Sequence, residues 1–139
     1  EQYKYKLEIE KEIYYLNTTE MKMSELWKKE LTNINLKIDS KLFNKQMIET
    51  YLKLLRLYLK EKLDYTKLSK PITQMDFDEI DNTIFYENLS NFELEELKNQ
   101  MKLTDYLENT SLSEYLSAYF AYKYIRDEDL TKMNLKIFD

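Results

Sequence analysis

Asp76, Asp78, Glu79 and Asp81 crowd four carboxylates into one short stretch. Carboxylates at that density can hold Mg²⁺ or divide the roles of general acid and general base. The rest of the chain gives them little support. It contains no His, no Cys and no Gly. Ser-His-Asp and Cys-His constellations therefore cannot be built, and zinc loses its usual ligands. Phosphate-cradling loops and EF-hand loops need Gly where the backbone turns sharply or approaches the ligand. The four acids also lack the spacing of a calcium loop. They read better as the solvated start of a helix, where the macrodipole favours negative charge. The expectation is a chain that is not an enzyme, with no catalytic residue, no metal and no cofactor.

A second group, Lys53, Arg56, Lys60, Lys62, Lys67 and Lys70, could contact phosphate. Glu61 and Asp64 interrupt it. The wider charge layout is polarised, with net +4 over residues 1–70 and net −9 over residues 71–139. An acidic half repels a polyanion unless it points away from it. The simplest expectation is that the basic and acidic segments face each other within one fold. Pairing between subunits is the next, and separate partners the third.

The third group is aromatic. The chain has 13 Tyr, and Tyr115, Tyr119, Tyr122 and Tyr124 fall close together. Tyr offers contact area at low entropic cost and can stack on single-stranded bases. The same helical spacing also suits ordinary packing.

What remains is function by surface contact. The sequence reads as a non-catalytic protein–protein interaction module, acting as subunit, adaptor or inhibitor in a larger assembly. Its partner would be another protein or a second copy. The contact candidates are Asp76, Asp78, Glu79, Asp81, Glu87, Glu93, Glu95 and Glu96, with Tyr115, Tyr119 and Tyr122. The alternative is a nucleic-acid-associated helical module using the basic face of residues 53–70, as in a replication-complex subunit.

These groups need elements to hold them. Without Gly, positive φ has no cheap host, and tight hairpin turns become hard to build. There is also no Val, which thins the strand vocabulary. An AT-rich genome would account for this bias. Leu, Lys, Glu and Met dominate instead and lose little freedom in a helix. Residues 3–16 carry Leu7, Ile9, Ile13, Tyr14 and Leu16 among charges, with Glu8/Glu12 and Lys6/Glu10 at i,i+4, suggesting a helix. A second is expected over about 20–32, capped near Asn17-Thr18-Thr19. Residues 33–38 alternate like a strand, but no partner is evident, so a connector is expected.

Asp39-Ser40 should cap a long central helix over about 41–69, broken at Pro71. Capping-box spacings at Asp76/Glu79, Ser90/Glu93 and Ser111/Glu114 predict helices over about 76–87, 91–108 and 111–126. Asp127 could start a last short one. The expected fold is all-α, one domain over 1–139, a helical bundle of about five to seven helices.

Tyr51–Lys70, a break, and then Leu89–Leu107 with its Leu-Ser-x-x-Glu-Leu run loosely resemble the helical domain of GINS replication subunits. That resemblance would imply a replication-complex subunit. The arginines expected in the long helix are mostly absent, and the fold reading does not rest on it. No segment has 18 uncharged apolar residues, so no membrane span is expected. The absence of Cys and of a signal segment suggests an intracellular setting.

Overall fold

Tyr5, Leu7 and Ile9 alternate with Lys6 and Glu8, and alternation puts one set on one face of a strand. In the computed structural model they form strand β1 (Tyr5–Ile9), with its three apolar residues buried. A turn at Glu10-Lys11 leads into β2 (Glu12–Leu16), paired antiparallel from Tyr5↔Leu16 to Ile9↔Glu12. The structure describes residues 2–29, 33–64, 66 and 83–125.

The helix expected over 3–16 is therefore a hairpin, and the all-α expectation is overturned. Two physical points account for the difference. Glu8 and Glu12 are like charges, so their i,i+4 spacing would have opposed a helix rather than supported it. The turn also forms without Gly, because Glu10 (φ 49°) and Lys11 (φ 71°) both take positive φ. Paired positive φ over two residues is the hairpin geometry that matches strand twist. The Glu10 carboxylate helps to hold it by accepting the Lys45 backbone N–H.

β3 (Asn35–Leu36) pairs parallel with β1 through Lys6↔Asn35 and Leu7↔Leu36. The alternation at 33–38 was a strand signal after all. Its partner is β1, in the segment whose charge spacing suggests a helix. The sheet is mixed, in the order β2-β1-β3.

Between hairpin and β3, Asn17 caps α1 (Thr18–Lys22) through a capping box with Glu20. Ser24 caps α2 (Glu25–Lys28). These two short turns replace the single helix expected at 20–32. The Trp27 indole donates to the Lys37 carbonyl (2.9 Å), tying α2 to the chain just after β3.

The central helix α3 is Lys45–Lys60, capped by Asn44 rather than Asp39-Ser40. It ends before Pro71, which lies outside the described residues. Leu63 N–H bonds the Tyr58 carbonyl and Lys62 N–H bonds the Leu59 carbonyl, with Lys62 at φ 54°. That is a Schellman stop with Lys where Gly is usual.

α4 (Ile84–Ser90) follows, capped by Thr83. α5 (Leu94–Tyr106) starts with a Glu93–Glu96 capping box and stops in the same way as α3, with Glu108 at φ 56°. α6 (Thr110–Phe120) is capped by Asn109, not Ser111, and runs on as a π-helical turn, Ala121–Ile125. Any helix after Asp127 lies outside the described residues.

One contiguous core joins the two layers. It includes Tyr5, Leu7, Ile9 and Leu16 from the hairpin and Ile48, Tyr51 and Leu55 from α3. Phe85, Leu103, Leu112 and Tyr115 complete it from the later helices. At its centre Asn109 donates to the Tyr51 hydroxyl (2.9 Å), and Tyr58, Phe85 and Tyr115 meet edge to face. No helix among the described residues is long and apolar enough to cross a membrane.

Candidate functional site

Among the described residues β2 lies at the edge of the sheet, next to α3. In a hairpin with a two-residue loop, the pair flanking the loop is hydrogen-bonded and pairs alternate from there. Ile9↔Glu12 and Leu7↔Tyr14 are then bonded pairs, and the N–H and C=O groups of Ile13 and Tyr15 point away from β1. One of those groups is occupied. The Arg56 guanidinium donates through Nη2 to the Tyr15 carbonyl (2.8 Å) and through Nε to Glu20 (2.9 Å).

Glu20 is buried, and its other oxygen accepts the Asn17 N–H (3.0 Å). A buried carboxylate needs such partners. Arg56 is thus a brace between α3, α1 and β2.

Beyond this brace lies an apolar groove of about 430 Å³. Tyr14 reaches into it from β2, and Leu52 and Leu57 from α3. Ile84 closes the far side and is 49% exposed. Lys53 and Arg56 supply cationic rims, and Glu49 accepts from the Tyr14 hydroxyl (2.9 Å). Partial burial and the Glu49 carboxylate push the Tyr14 hydroxyl up to about 12. The start of α4 is fixed from below by Glu61, whose carboxylate accepts the Ile84 and Phe85 N–H groups (2.7 and 2.9 Å). On its outer side the sheet leaves Ile13 (49%) and Tyr15 (45%) exposed.

The residues singled out from sequence scatter relative to this groove. Lys53, Arg56 and Lys60 share one exposed face of α3, and Lys62 is exposed just past its end. Among the described residues Lys53, Lys60 and Lys62 form no ion pair, whereas Arg56 is committed to Glu20. Lys67 and Lys70 lie outside the described residues, as do Asp76, Asp78, Glu79 and Asp81. Glu87, Glu93, Glu95 and Glu96 are all exposed. Glu93 and Glu96 form the α5 capping box, and Glu95 approaches Lys98 at 4.0 Å. Glu87 is in the first turn of α4.

Among the described residues no ion pair joins these acids to α3. Its cations meet Glu12 and Glu20 from the N-terminal segment instead. Tyr115 and Tyr119 are core residues, 1% and 2% exposed, so they offer no contact surface. Burial pushes both hydroxyls up, with Lys123 opposing the shift at Tyr119. Tyr122 is half-buried.

The groove residues Tyr14, Leu52, Leu57 and Ile84, and the edge residue Ile13, were not anticipated. The period-two pattern of residues 5–9 was the signal that could have led to them. Among the described residues no group of His, Cys, Asp and Glu is placed to hold a metal ion. No protein-family model, curated protein or solved structure matches the chain.

Proposed function

We propose that the chain is a non-catalytic protein-contact module, working as a subunit, adaptor or inhibitor, and that its contact face is the groove between β2, α3 and α4. The observation that carries this reading is an apolar floor that the described residues leave open beside an edge strand. Exposed apolar surface with a polar rim marks interaction sites, and the rim here is Lys53, Arg56 and Glu49. A chain with no His and no Cys has few means of proton transfer or nucleophilic attack near neutral pH.

The test is affinity capture from the native source after nuclease treatment, with wild type and Ile84→Glu side by side. Ile84 is half-exposed, so the variant keeps its core. A stoichiometric protein partner held by wild type and lost by Ile84→Glu is the expected result. Equal recovery by both would overturn the assignment of the face.

Lys53, Lys60 and Lys62 are exposed and unpaired among the described residues, which suits phosphate contact. Binding to nucleic acid would then weaken steeply with added salt, and Lys60→Glu with Lys62→Glu would abolish it. Binding unchanged by that double substitution would remove this reading.

A further inference from the structure

Three features of β2 coincide, and together they say what shape of partner fits. The first is the open ladder. The N–H and C=O of Ile13 and the N–H of Tyr15 point to the outer edge, with no partner among the described residues. Arg56 on the Tyr15 carbonyl closes the ladder at one end. The second is the floor. A strand laid against β2 would turn alternate side chains over Leu52, Leu57 and Ile84. The third is charge. Lys53 stands at the rim without an ion pair among the described residues, and Lys60 continues the same exposed face.

We propose that an extended, acidic segment of a partner protein adds to the free edge of β2 as a fourth strand. This rests on the contact-face reading above and deepens it. Strand addition draws affinity from main-chain hydrogen bonds and specificity from pockets for alternate side chains. The segment carries apolar residues at every second position, to fill the groove. It carries carboxylates beside them, to meet Lys53 at the rim and Lys60 further along the same face. A second copy of this chain fits less well. Two β2 edges related by a twofold axis would bring the unpaired Lys53 of one copy towards that of the other, and like charges so placed repel.

The test uses the full chain and a phage-displayed library of random linear peptides. Enriched sequences should alternate apolar and other residues and carry a surplus of Asp and Glu. Synthetic copies of the enriched peptides should bind Lys53→Glu about tenfold more weakly. Ile13→Pro should abolish binding. It removes an N–H that faces away from β1, and edge strands tolerate Pro at such a position. Of the two alternating sets of backbone nitrogens in the peptide, methylating the one that faces β2 should abolish binding and methylating the other should not, with the protein unaltered.

Hydrogen exchange gives an independent readout. In the free chain the Ile13 and Tyr15 amides should exchange faster than Tyr14, and the peptide should slow them.

Binding lost in Ile84→Glu but retained in Ile13→Pro and by both methylated peptides would overturn strand addition and leave the contact face standing. Binding retained in Ile84→Glu would sink both. No enrichment, enrichment of basic or helical peptides, or slow Ile13 exchange in the free chain would each overturn the proposal. So would a dimer in solution that Ile13→Pro dissolves, because a second copy would then be the occupant.

Discussion

Arg56 shows how one side chain can exchange a role read from sequence for another. It belongs to a run of cations that suggests phosphate, yet two of its donors are spent on Glu20 and the Tyr15 carbonyl. Arg56→Ala would leave the buried Glu20 carboxylate with one donor fewer. The expected cost is about 1–3 kcal/mol, the range for an orphaned buried acceptor, read from the urea midpoint. A shift under a few tenths would mean that water replaces the guanidinium. Tyrosine titration gives a second prediction at this scale. The Tyr14 hydroxyl is held at about 12 against an ordinary value of 10.0, and burial moves Tyr51 and Tyr115 in the same direction. A raised value favours the neutral form in the folded state. The associated stability is therefore complete below about pH 10 and lost as pH climbs towards 12. Urea midpoints should fall over that window, and less steeply in Tyr14→Phe. Midpoints that stay flat there would show that the folded state accepts tyrosinate without penalty.

At the scale of the element, the chain builds glycine geometry without glycine. Glu10, Lys11, Lys62 and Glu108 all sit at positive φ. Two of them make the hairpin turn and two end α3 and α5. Left-handed backbone costs an L-residue with a Cβ roughly 1–2 kcal/mol, and glycine removes the clash at some entropic cost. Lys62→Gly should therefore stabilise the fold by about 0.5–1 kcal/mol, and Lys11→Gly by a similar amount. Glu10 is a poorer choice, because its carboxylate also holds the Lys45 N–H. Thermal denaturation of the two single variants checks this, and a lower melting temperature in both would contradict the strain account.

At the scale of the molecule, a three-stranded sheet and the helical layer share one core. Neither layer can bury its apolar face alone. Trp27, 4% exposed, reports on the sheet side because its indole bonds the Lys37 carbonyl. Its fluorescence and the far-ultraviolet circular dichroism should follow a single unfolding curve. Two separated midpoints would mean that the layers melt independently. Leu7→Ala, at the centre of β1 and fully buried, should lower both midpoints together, at a cost of about 2–5 kcal/mol.

Local patterns settled much of the helical layer. The three- and four-residue apolar spacing of α3, α5 and α6 is a property of neighbouring residues, so it was legible. Cap identity was less so, since Asn44, Glu93 and Asn109 hold positions for which nearby Ser and Asp were equally plausible. The sheet was out of reach for a different reason. A strand is stable only beside another, and β3 finds β1 some thirty residues back along the chain. A helix over residues 3–16 would leave residues 33–38 nothing to pair with. The groove depends on the same distant meeting, since β2, α3 and the start of α4 each bring part of it. Charge and residue type belong to the sequence, but which residues share a surface was decided only when the two layers closed.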